Sequence, residues 1–70
     1  MFIGLTTTQS GQRFAANTQA ISCVFESTYT PIHSTQKMKC CNVYFVGEEK
    51  PIEVTDMYND LSQILFDNNN

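Results

Sequence analysis

The chain reads as a small α+β domain: an antiparallel sheet of about five short strands, with one C-terminal helix packed on one face. Three observations predict this. Runs rich in β-branched and aromatic residues, alternating apolar with polar, recur up to Val54 and are punctuated by Gly, Pro and Asn. From Thr55 the apolar spacing changes from two residues to the three-and-four spacing of a helix. Seventy residues with 41% apolar content can build one core and no second one, so residues 1–70 form a single domain.

Phe2 to Thr8 is the first strand, with Ile3 and Leu5 on one face. Gln9-Ser10-Gly11-Gln12 is a turn in which Gly11 is free to take positive φ. Arg13 to Asn17 returns as a second strand, with Phe14 and Ala16 facing inward. Asn17-Thr18-Gln19-Ala20 forms a single turn, because the Asn and Thr side chains accept from nearby backbone amides. Ile21 to Tyr29 is a third strand, read with Ile21, Cys23 and Phe25 on one face. Thr30 to Gln36 breaks the pattern around Pro31, which lacks an amide donor. Lys37 to Val46 is the fourth strand, with Cys41, Val43 and Phe45 inward and Cys40, Asn42, Tyr44 and Val46 outward. Gly47-Glu48-Glu49-Lys50 turns the chain into a fifth strand at Pro51–Val54, with Ile52 and Val54 inward. Thr55 is the expected N-cap of the helix, and Asp56 favours its dipole. Met57, Leu61, Ile64 and Leu65 make the buried stripe, and residues 67–70 are expected to fray.

These faces predict a core of Ile3, Leu5, Phe14, Ala16, Ile21, Phe25, Val43, Phe45, Ile52, Val54, Leu61, Ile64 and Leu65. One helix covers one face of the sheet. Phe2, Cys40, Tyr44 and Val46 are therefore expected to be partly exposed on the other face, as a surface for a protein partner or a second copy.

The segment Leu5-Thr6, Ser10-Gly11, Phe14-Ala15-Ala16-Asn17, Ile21 and Glu26 resembles the small FlbD-type flagellar and swarming-motility proteins. Asn42-Val43-Tyr44-Phe45-Val46-Gly47, Ile52-Glu53-Val54 and the helical segment from Thr55 to Leu65 resemble that family's later strands and helix. Similar short chains occur in gut bacteria and their phages. The likeness covers most of the chain and implies the same strand-then-helix fold. It lies in turn and core positions, so it brings no catalytic residues with it. Across Ser27–Lys37 this chain departs from the pattern with a longer loop.

Charge and cysteine content narrow the function. Arg13, Lys37 and Lys39 against Glu26 leave residues 1–47 at +2, whereas residues 48–70 carry −5, giving −3 overall. Three scattered bases make no basic stripe, which argues against a nucleic-acid binder. The cysteines, Cys23, Cys40 and Cys41, are odd in number and two are adjacent, which favours a reducing, cytoplasmic setting over a disulfide framework. No apolar run approaches the ~20 residues of a membrane span, and no basic-then-apolar leader precedes the domain.

No constellation carries chemistry. Cys40 and Cys41 are neighbours on a strand and point to opposite faces, so they cannot share one tetrahedral metal site with Cys23 and His33. His33 lies in the Pro31 loop, where nothing positions it against a thiol. Glu48-Glu49 is a turn pair and Asp56/Asp60 a helix-face pair, neither of them set in a cleft. Gly4, Gly11 and Gly47 are too far apart for a phosphate loop.

The expectation is therefore a non-enzymatic interaction or regulatory module without cofactor or metal, self-associating or binding another protein. Its candidate surface comprises Phe2, Tyr44 and Val46 on the outer face, with Tyr29, Ile32 and His33 in the long loop. The alternative is a nucleic-acid-binding regulator that stacks bases on the same outer face.

Overall fold

The structure is a computed structural model and describes residues 1–68. Its strands are β1 (Phe2–Thr6), β2 (Arg13–Asn17), β3 (Ile21–Tyr29), β4 (Met38–Phe45) and β5 (Ile52–Val54), and the helix α1 spans Tyr58–Asn68. A three-residue 3-10 turn, Thr18–Ala20, joins β2 to β3. The α+β class, the five antiparallel strands and the C-terminal helix agree with the sequence expectation.

The strands form two sheets, β1-β2 and β3-β4-β5. A single bridge, Thr7 with Val54, joins them. Around it Thr55 N–H donates to Thr6 O (2.8 Å) and Thr8 N–H donates to Glu53 O (3.1 Å). The spatial order is thus β2-β1-β5-β4-β3. The sheet is interrupted there because β5 is only three residues long and the chain then turns into the helix.

Local chemistry explains the turns. Gly11 takes φ +67° after β1, and Gly47 takes φ +87° after β4, conformations open to glycine at little cost. Asn17 Oδ1 accepts from Gln19 N–H at 3.1 Å and so caps the 3-10 turn. Thr18 is buried there, with its hydroxyl donating to Met1 O (3.1 Å). His33, with φ 66°, is the one non-glycine residue of positive φ among the described residues, in the turn at the tip of the β3–β4 hairpin.

The core lies between the two sheets and α1: Ile3, Leu5, Ala16, Cys41, Val43, Val54 and Leu61, with Phe14, Ile21, Val24, Phe45 and Ile64 packed against them. The helix packs mainly on β3.

Four expectations need correction. Phe25 is 56% exposed, and Val24 packs on the core in its place. The cause is a bulge: Ile21 pairs with Phe45 but Cys23 pairs with Tyr44, so Ser22 is the extra residue and the alternation beyond it is inverted. Cys40 is buried although it lies on the outer face; there it pairs with Ser27, and its thiol donates to the Glu53 carboxylate. Ile52 is 37% exposed, because the space between the sheets opens at that end of β5. Met57 is exposed because the helix starts two residues later than a Thr55 cap implies: Leu61 N–H donates to Met57 O (3.1 Å), so Met57 and not Thr55 is the residue before the first helical one. Asp56 Oδ1 accepts from Thr6 N–H (3.0 Å) and so ties β1 to the helix entry. The expected fraying at 67–70 lies partly outside the described residues; Asp67 and Asn68 belong to α1.

Candidate functional site

The register sorts the face of the larger sheet that points away from the core. It carries Cys23, Phe25, Ser27 and Tyr29 from β3, opposite Tyr44, Asn42, Cys40 and Met38 from β4, and Glu53 from β5 opposite Asn42. The bulge at Ser22 puts Phe25 here. Its ring meets Tyr44 edge-on, with centroids 5.6 Å apart and planes at 84°, a favourable arrangement for the two quadrupoles. Phe25 and Met38 are exposed and Tyr44 is half-buried, so this face presents an aromatic pair with an exposed methionine along the same hairpin. Tyr44 was legible in the sequence; Phe25 was not, because the residues carry no evident signal for the bulge.

The other expected outer-face residues lie elsewhere. Phe2 is exposed on β1 in the smaller sheet, and Val46 follows β4 in the turn. Val46 instead borders a cleft of about 410 Å³ between the sheets, lined on its apolar side by Phe14, Ala16, Ala20, Phe45 and Ile52. Asn17, Glu48 and Lys50 add polar groups to the same cleft. Tyr29 and Ile32 share a recess of about 360 Å³ with Thr8, Gln9, Pro31 and Glu53, where the hairpin loop meets the β1–β2 turn. The Thr8 hydroxyl donates to Glu53 Oε1 beside this recess. His33, exposed in the loop, does not line it.

The two buried thiols, Cys40 and Cys41, are held in the protonated form. Burial pushes the Cys41 thiol up to about 11, with further increments from Cys40, Glu26 and Asp56. Burial also raises Cys40, as does the charge of Glu53, while a hydrogen bond with Ser27 acts the other way. Catalytic cysteines need the opposite shift. Among the described residues no group of three or more His, Cys, Asp or Glu side chains could hold a metal ion. No described helix is long and apolar enough to cross a membrane. The basic residues are dispersed over β2 (Arg13), the distal end of the hairpin (Lys37, Lys39) and the turn before β5 (Lys50). No family model, curated protein or solved structure matches the chain.

Proposed function

We propose that this protein is a non-enzymatic protein-interaction module that self-associates. The observation that carries this reading is the distribution of its large apolar side chains. None of its phenylalanines is buried, and Phe2, Phe25, Ile32, Met38 and Val46 are more than half exposed. The largest fully buried side chains are only Leu5, Val43, Val54, Cys40 and Cys41. A core of that kind rarely supplies more than about 3–5 kcal/mol. A compact 7.9 kDa monomer exposes about 4,400 Å². This chain exposes 5,166 Å² over an elongated 40 × 22 × 19 Å body.

The Phe25–Tyr44 face is the surface proposed for partner contact. Native mass spectrometry under reducing conditions tests the reading. A metal-free dimer is expected. Tyr44→Glu, which sets a charge beside Phe25, is expected to weaken binding to another protein while leaving the circular dichroism spectrum unchanged. A wild-type chain that stays monomeric at 100 µM (about a hundredfold above micromolar affinity) would contradict self-association.

A further inference from the structure

Antiparallel hydrogen bonding alternates along a strand, so each residue of β2 directs its backbone groups either to β1 or away from it. Thr7 N–H donates to Gln12 O, and Thr18 N–H donates to Met1 O, each at 2.9 Å. With Leu5 opposite Phe14 and Ile3 opposite Ala16, these bonds fix the phase. Phe14 and Ala16 bond to β1, and the N–H and C=O groups of Arg13, Ala15 and Asn17 point outward. Strand β2 pairs with no strand but β1.

The sheet order leaves two edges, β2 and β3. They are not equivalent. β3 is bulged at Ser22 near its start and sets Glu26 on the core-facing side opposite Cys41, an inward-pointing charge of the kind that discourages pairing with another chain. β2 has no bulge, no proline and no inward-pointing charge. The apolar cleft of Phe14, Ala16, Ala20, Phe45, Val46 and Ile52 opens beside it.

We infer that two copies of this chain pair through β2, antiparallel and two-fold symmetric about Ala15. This rests on the self-association reading, leaves the Phe25–Tyr44 face to another protein and places the contact between copies at the β2 edge. The sequence of β2 is self-complementary in that register. Ala15 meets the partner's Ala15, and Arg13 meets the partner's Asn17, so the outward groups of all three are satisfied and no like charges are opposed. Phe14 falls beside the partner's Ala16 in the close, non-hydrogen-bonded position, on the side of the cleft. Each half-buried aromatic then covers the open end of the other copy's core. The Arg13 side chain does not compete for this contact, because its guanidinium lies back over Gly4 on the opposite face of the sheet.

The test is sedimentation equilibrium of the full chain under reducing conditions, at 1–100 µM (a range set to bracket micromolar affinity). Wild type is expected to be a dimer. Ala15→Pro removes an amide that makes no bond within the protomer, so it is expected to give a monomer with an unchanged circular dichroism spectrum. If Ala15→Pro unfolds, charge at the two-fold axis decides. Ala15→Asp sets two carboxylates directly opposite each other and is expected to weaken the dimer at least about tenfold, which is about 1.4 kcal/mol. An equimolar mixture of Ala15→Asp and Ala15→Lys is expected to restore it. A folded Ala15→Pro dimer, or a mixture as weakly associated as Ala15→Asp alone, overturns the β2 interface. If Tyr44→Glu alone yields monomers, self-association stands and the interface lies on the other face. A monomeric wild type overturns both.

Discussion

Among single residues, the cysteines give the most direct predictions. Cys23 is exposed, whereas Cys40 and Cys41 are buried. Brief treatment of the native protein with iodoacetamide should therefore label one thiol, mapped to Cys23, and labelling of all three should require denaturant. Burial raises the Cys41 thiol to about 11 from an ordinary 9.0. The folded state thus holds this proton more tightly than the unfolded chain does. The associated stability is complete below pH 9.0 and declines as pH rises towards 11. Cys41→Val keeps the packing and removes the titration, so its melting temperature should fall less over that range than the wild type's. Asp56 carries a second prediction. Its carboxylate accepts the Thr6 amide at 3.0 Å, and Asp56→Ala should cost about 1–2 kcal/mol in urea denaturation.

At the scale of elements, the decisive feature is the bulge at Ser22. It makes Val24 and not Phe25 the core-facing residue of mid-β3. Val24→Asp should destabilise by more than about 2 kcal/mol, as an unpaired charge driven against the core does. Phe25→Asp should change stability by no more than about 1 kcal/mol, measured in the same urea titration. The contrast would reverse in an uninterrupted strand. Much of the fold was legible because strands with clean alternation and glycine turns specify themselves: Ile3 and Leu5, the Gly11 turn, the Asn17 cap, and Cys41 with Val43 all stand where their spacing puts them. The bulge was not legible, since nothing about a serine between Ile21 and Cys23 distinguishes an extra residue from an alternating one. The helix start was misplaced by Met57 for a related reason. Thr55 and Asp56 have good capping chemistry, but the pairing of Thr55 N–H with Thr6 O holds that segment extended. Of the candidate surface, Tyr44, Tyr29 and Ile32 were recoverable from alternation and loop length, while Phe25 depended on the bulge. The burial of Cys40 on the outer face was not legible, because alternation assigns it to the exposed side.

For the whole molecule, the proposed dimer makes stability depend on protein concentration. A dimer that binds no unfolded chain is stabilised by mass action, so its melting temperature depends on protein concentration. Differential scanning fluorimetry of the wild type from 1 to 100 µM (two decades, chosen to resolve mass action) should show a steady rise in melting temperature. Ala15→Pro should show a flat line at the low end of that rise. The same dependence would add to the stability of a chain that has three free cysteines and no buried aromatic side chain.

The single junction between the sheets has a kinetic consequence. Thr55 N–H to Thr6 O and Thr8 N–H to Glu53 O flank one bridge, with Asp56 securing Thr6 from the side. Neither amide can become accessible to solvent deuterium without parting the sheets there, so both should report one shared opening event. In hydrogen exchange the amides of Thr8 and Thr55 should have matched protection factors and slow together when β2 is paired. That common rate would make the seam a built-in gauge of how often the protomer gapes.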